Sequence, residues 1–404
     1  MITIIDQPYR YTPVHQKLMV VCSSTNVANS GFRYVYDFGT FTVNVQPNAN
    51  GIGMLDLCPL FEEETSLVSV NSINGLDYAN LVVVNCTIRE GWLVGGVFTI
   101  SGSDSAEMDS VTLFDGEFQL SDGYKPNPRF SYGMLNYSDY LLSDLIEGSY
   151  PLWNRWSELG LSNKFIYIPT RLRDAGIIAF PTANAYLDNI AESCELKQYD
   201  NSGTLLSTHT TSLLPDTDKI MLYGIYPYNL DAGAILEPTM AYYTFKLIDS
   251  LGGDCSRTYC FYLIEDDCRY TNVRLGWSNT RGGYDYFNFT QNSETSYQLE
   301  RKQFQKVVGS YNASTFGFNS YDRSKTDRKV LTTKGISVNT NWITKGQFEF
   351  LTSLMRSNDV WIINDDGSQT PVLVDSSQHN IKSGLDGKLY NLSLNLKYSQ
   401  SVGI

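Results

Sequence analysis

Side chains able to do chemistry are few in this 404-residue sequence, and their spacing suits no common reaction. His15, His209 and His379 stand far apart, so a Ser-His-Asp or Cys-His site would need assembly over long range. The seven cysteines, at positions 22, 58, 86, 194, 255, 260 and 268, include no CxxC pair, the spacing structural zinc sites favour. They read as buried, reduced thiols of a chain folded in a reducing cytoplasm. The phosphate-binding GxxxxGK[ST] and GxGxxG loops, the HExxH metal motif and the GxSxG elbow do not occur in context. The expectation is a chain with no catalytic residue, no metal and no cofactor.

Carboxylates are clustered at Glu62-Glu63-Glu64, Glu265-Asp266-Asp267 and Asp365-Asp366. A glycosidase needs two such groups about 5–9 Å apart across a sugar ring. Adjacent strand residues point to opposite faces, so sequence neighbours make poor partners and solvated loops are the expected state. Asn364-Asp365-Asp366-Gly367 lacks the spaced ligands and terminal Glu of a calcium loop and reads as a hairpin turn. Aromatics are the other resource. Trp92, Trp153, Trp156, Trp277, Tyr284 and Tyr286 could stack on sugars, although filling cores and subunit interfaces is the commoner use of Trp and Tyr.

The elements that hold these residues read as mainly β. Aromatics make up 13% of the chain, with 28 Tyr and 31 Gly, a composition that suits short strands joined by tight turns. From Asn272 to Thr290 the sequence NVRLGWSNTRGGYDYFNFT runs a strand into Gly282-Gly283 and out through alternating aromatics, an aromatic hairpin on a half-buried face. Residues 1–115 form a first sandwich-like unit, with strands at Lys17–Cys22, Phe32–Phe38, Phe41–Val45, Leu81–Val84 and Val94–Ile100. Residues 116–164 are a loop and short-helix excursion that places Trp153 and Trp156 on one helical face. A second β unit covers 165–292. The last unit, 293–404, is a small α+β domain with a helix over 347–356 capped by Thr344, a hairpin after it and a final alternating strand to Tyr398.

The net charge of −13 argues against nucleic-acid recognition, which needs clustered Lys and Arg. The opening residues MITIIDQPYRYTPVHQ carry no basic segment leading into an apolar one, so no signal peptide is expected. No apolar run reaches the ~20 residues of a membrane helix, so no membrane insertion is expected.

Three segments resemble virion structural proteins of tailed bacteriophages, in particular those of crAss-like phages. They are Val21–Asn26 continuing through Phe32–Asp37 to Gly51–Leu57, then Arg274–Asn279 through Gly282–Phe289, and the helix–hairpin–strand ending with Trp361 and Leu392–Tyr398. The resemblance covers most of the chain in outline. It implies a non-enzymatic subunit of a homo-oligomeric ring in the collar, tail hub or baseplate, made in the host cytoplasm and contacting other virion proteins. It transfers no functional residue. The contact residues it leaves to choose from are the aromatic ones: Trp277, Tyr284, Tyr286, Phe287 and Phe289 of the hairpin, and Trp153 and Trp156. A receptor- or carbohydrate-binding tail module is the alternative, and a glycan-cleaving enzyme a third.

Overall fold

The computed structural model describes residues 1–8, 11–62, 76–79, 82–114, 116, 143, 166–181, 191–213, 220–230, 235–265, 269–280, 282–311, 314–340, 342–375, 390–399 and 402–403. The fold is mainly β, with several sandwich-like units in series and one long helix near the C-terminus. The 116–164 excursion, with Trp153 and Trp156, lies outside the described residues apart from 116 and 143.

In the N-terminal unit, a three-stranded sheet of Ile2–Asp6, Met19–Ser24 and Ile52–Asp56 faces a four-stranded one of Val97–Glu107, Thr87–Val94, Arg33–Asp37 and Thr42–Val45. Tyr34 and Tyr36 are fully buried beside Val20, Cys22 and Ile88. The strand expected over Val94–Ile100 forms from Val97 onward, as the start of Val97–Glu107, after a hairpin bend that follows Val94. Gly95 and Gly96 both have positive φ, which only glycine takes without strain, and the flanking strands pair across them.

The middle unit is built on a five-stranded sheet ordered Ile166–Thr170, Tyr259–Leu263, Tyr242–Asp249, Ala191–Tyr199 and Leu205–Ser212. Its strands Ile166–Thr170 and Tyr259–Leu263 are buried on both faces, whereas Ala191–Tyr199 alternates and Leu205–Ser212 is largely open at the edge. Tyr243, Phe245 and Leu247 enter the largest core, and Tyr242, Cys260 and Tyr262 form a smaller cluster on the other side. A second sheet joins Ile177–Pro181, Ile220–Gly224 and Leu76–Ala79, so a strand from the first unit completes the middle one.

An eight-stranded sheet dominates the C-terminal region, and the expected boundary at 292 falls inside it. The aromatic hairpin, Val273–Ser278 with Tyr284–Phe289, pairs through its first strand with Val360–Ile363 and so belongs to this sheet. The helix forms where the sequence places it, over Lys345–Arg356. Thr344 accepts from the Gln347 backbone N–H, and Gln347 answers through its side chain. Its apolar stripe, Phe348, Leu351 and Leu354, packs on the sheet. No described helix is long and apolar enough to cross a membrane.

Candidate functional site

The alternation along the aromatic hairpin splits it between two cores. Val273, Leu275, Trp277, Phe287 and Phe289 face the helix, whereas Tyr284 and Tyr286 enter the middle core. Trp277 is fully buried and donates its Nε1–H to Ser353 Oγ at 3.0 Å. Tyr286 lies across its strand partner Gly276, where a Cβ would come within 2.9 Å of the ring. The expectation that Trp277, Tyr284, Tyr286, Phe287 and Phe289 make contacts between subunits is therefore corrected. The apolar surface of Trp277, Tyr284, Tyr286 and Phe289 is consumed inside the chain, because both faces of the hairpin are covered, and Phe287 alone of the five stays partly exposed. Trp153 and Trp156 lie outside the described residues.

Where the two cores meet sits a buried ionic joint that sequence reading did not find. Asp174, 1% exposed, accepts from Arg171 Nε at 3.0 Å, from the Arg171 backbone N–H at 2.9 Å and from Asn288 Nδ2 at 2.6 Å. Arg274 reaches it from the hairpin, with Nη1 at 3.1 Å, while its Nε donates to the Ala175 carbonyl at 3.0 Å. The Arg274 guanidinium lies 4.3 Å from the Tyr226 ring centre and 4.9 Å from that of Tyr286. Burial pushes the Tyr226 hydroxyl up to about 12 against the opposing pull of Arg274, and pushes Tyr286 well above the ordinary tyrosine value. These groups lock two sheets together. The joint is a fastener.

The remaining candidates for chemistry have structural uses. Buried Glu90 accepts from Ser24 and Asn26, and buried Asp285 from Ser143 and Asn279. Asp365-Asp366 lies in the expected turn, where Asp365 takes Arg173 at 3.0 Å and Asp366 accepts from Ser368. Burial raises the thiols of Cys22 and Cys255 to about 11 and that of Cys86 to about 12, so they stay protonated at neutral pH. Among the described residues, no group of three or more His, Cys, Asp or Glu is placed to hold a metal ion.

The surface feature that stands out is a long β-ribbon. Glu294–Gln305 and Lys325–Asn339 pair over twelve positions, and all twelve residues of the first strand are exposed. At its base the second strand continues into the sheet through Ser393–Tyr398 and Val402–Gly403. From Arg301 and Val330 outward no described third strand joins it. The tip closes through Ser310–Tyr311 and Phe316–Gly317 and carries bare apolar groups: Val307 is 91% exposed, Tyr321 77%, Tyr311 and Phe318 70% each. A polar depression of about 370 Å³ lies on one face of the base, lined by residues that include Ser296, Gln298, Thr333, Asp375 and Lys397.

No family model matches the sequence, and none of the curated proteins does either. Among solved structures the chain is similar to native alpha-2-macroglobulin from Escherichia coli, in a fragment spanning domains MG0-NIE-MG1. The match has 8% identity and a TM-score of 0.20, over 71% of this chain and 90% of that one. That likeness is too slight to carry function. The reading rests on the ribbon.

Proposed function

We propose that this chain is a structural subunit of a tailed-phage virion, assembled with copies of itself into a ring of the collar, tail hub or baseplate, with the ribbon as an assembly element. The observation that carries the reading is the ribbon's exposure on both faces, together with its apolar tip. A two-stranded ribbon is marginal in water by itself, and large exposed aromatics are a cost that a monomer gains nothing from. Both features make sense where a neighbour covers them, since Tyr, Phe and Arg are enriched in subunit contacts. Behind the ribbon, the Asp174–Arg274 joint and the shared hairpin tie the middle and C-terminal units into a firm base. The phage setting rests on the resemblance of the three sequence segments. No catalytic step belongs to this role.

Labelling the chain in purified particles and imaging them tests the reading. A ring of labels at the neck or tail is expected, and particles that lack the chain would refute it. The exposed tyrosines 311 and 321 favour a second reading, a tip that stacks on host glycans. A glycan array that binds the wild-type chain but not Tyr311→Ala or Tyr321→Ala would support that instead.

A further inference from the structure

Resting on that assembly role, we infer that the ribbon docks electrostatically on the acidic body of a second copy of this chain. Between Arg301 and Lys329 there are seven basic residues and two acidic ones, a net charge of +5. The chain as a whole carries −13, which leaves −18 on everything else. The basic groups are concentrated where the ribbon leaves the sheet. Lys302 and Lys329 are direct cross-strand partners, and Arg301 and Arg328 stand beside them. Like charges placed opposite one another destabilise a strand pair.

Two acids border this knot: Glu300 precedes Arg301 on the first strand, and Asp327 on the second is occupied by Arg301 at 2.7 Å and Gln303 at 2.8 Å. The Asp327 carboxyl is held below the ordinary value by those two bonds. Among the described residues, Lys302, Arg328 and Lys329 have no carboxylate within ion-pair distance. The body shows the converse. Glu107, Glu192, Glu237 and Glu265 are exposed and likewise have no described cation within ion-pair distance.

The isolated ribbon thus keeps an unfavourable Lys–Lys pair that an acidic surface would neutralise, and copies of this chain supply such a surface. Nucleic acid is the other polyanion a basic arm could meet. The −18 of the body repels it while attracting the ribbon of a neighbour. Ribbon and body are different patches, so the contact is heterologous, and it closes into a ring where the rotation permits.

The test uses the full chain, its K302E variant and the K302E/K329E double variant. K302E turns a like-charged cross-strand pair into an opposite-charged one, so the ribbon itself is not weakened. Self-association is followed by sedimentation at increasing salt. The wild type is expected to associate at low salt and to weaken at least about tenfold as surface charges are screened. Both variants are expected to associate at least about tenfold more weakly than wild type, with unchanged thermal unfolding. Carbodiimide coupling of isotope-mixed protein is expected to link Lys302, Lys306 or Lys329 to carboxylates of a different copy. Association indifferent to salt and to both variants overturns the inference and leaves the virion role standing. Cross-links solely to another virion protein, tight DNA binding by the ribbon, or a monomer at every concentration overturn it too. Absence of the chain from particles refutes the broader role instead.

Discussion

Arg274 is the residue on which the interior turns. It brings a charge from the aromatic hairpin into the middle core and satisfies Asp174, whose other arginine comes from the same short stretch of chain as itself. Arg274→Leu leaves a buried carboxylate short of a partner and is expected to cost about 3–5 kcal/mol in denaturant titration; a loss under about 1 kcal/mol would show that the joint is not a fastener. Tyrosines give a second handle. Tyr226 is raised to about 12, and Tyr243 and Tyr286 are raised well above 10, all chiefly by burial. The folded state holds these protons after the unfolded state has released them. Their stabilisation is therefore complete below about pH 10 and falls as pH rises beyond it. Tyrosinate absorbance is expected to show a late step coincident with unfolding, whereas early gradual ionisation of every tyrosine would contradict the burial. None of this joint was visible in the sequence. Asp174 and Arg274 are a hundred positions apart, and nothing local to the hairpin sequence that holds Arg274 names Asp174 as its partner.

The elements were legible to different degrees. Helix Lys345–Arg356 and the hairpin after it follow from local rules, a capping box and a turn, and both appear. Thr344→Ala is expected to cost about 1 kcal/mol, read from chemical denaturation. The aromatic hairpin was placed correctly, but period-2 alternation alone does not say whether the second face meets water or another core. Here Tyr284 and Tyr286 meet a core. The ribbon strands mix Thr, Ser, Gln and Lys with few apolar residues, so no buried face announces them in the sequence. That same composition marks a strand pair whose outer part, beyond Arg301 and Val330, joins no third strand among the described residues. Replacing residues 302–329 with Asn-Gly joins Arg301 to Val330, which are already cross-strand partners, through a tight hairpin turn. The shortened chain is expected to keep its body stability within about 1 kcal/mol, since no core cluster draws on those residues. A larger loss would mean the ribbon supports the fold.

Taken whole, the molecule is stitched rather than strung. Leu76–Ala79 pairs with Ile220–Gly224, Phe114 enters the middle core, and the aromatic hairpin serves two cores at once. Domain limits drawn at 115 and 292 from changes in composition miss this sharing, because strand exchange between units leaves no local signature. The consequence is a stiff body from which, among the described residues, the ribbon extends uncovered. Hydrogen exchange along residues 295–305 and 325–334, in dilute chain and in the assembled particle, tests this most directly. The ribbon amides are predicted to exchange fast in the free chain and to become strongly protected on assembly. Equal protection in both states would contradict the proposed role.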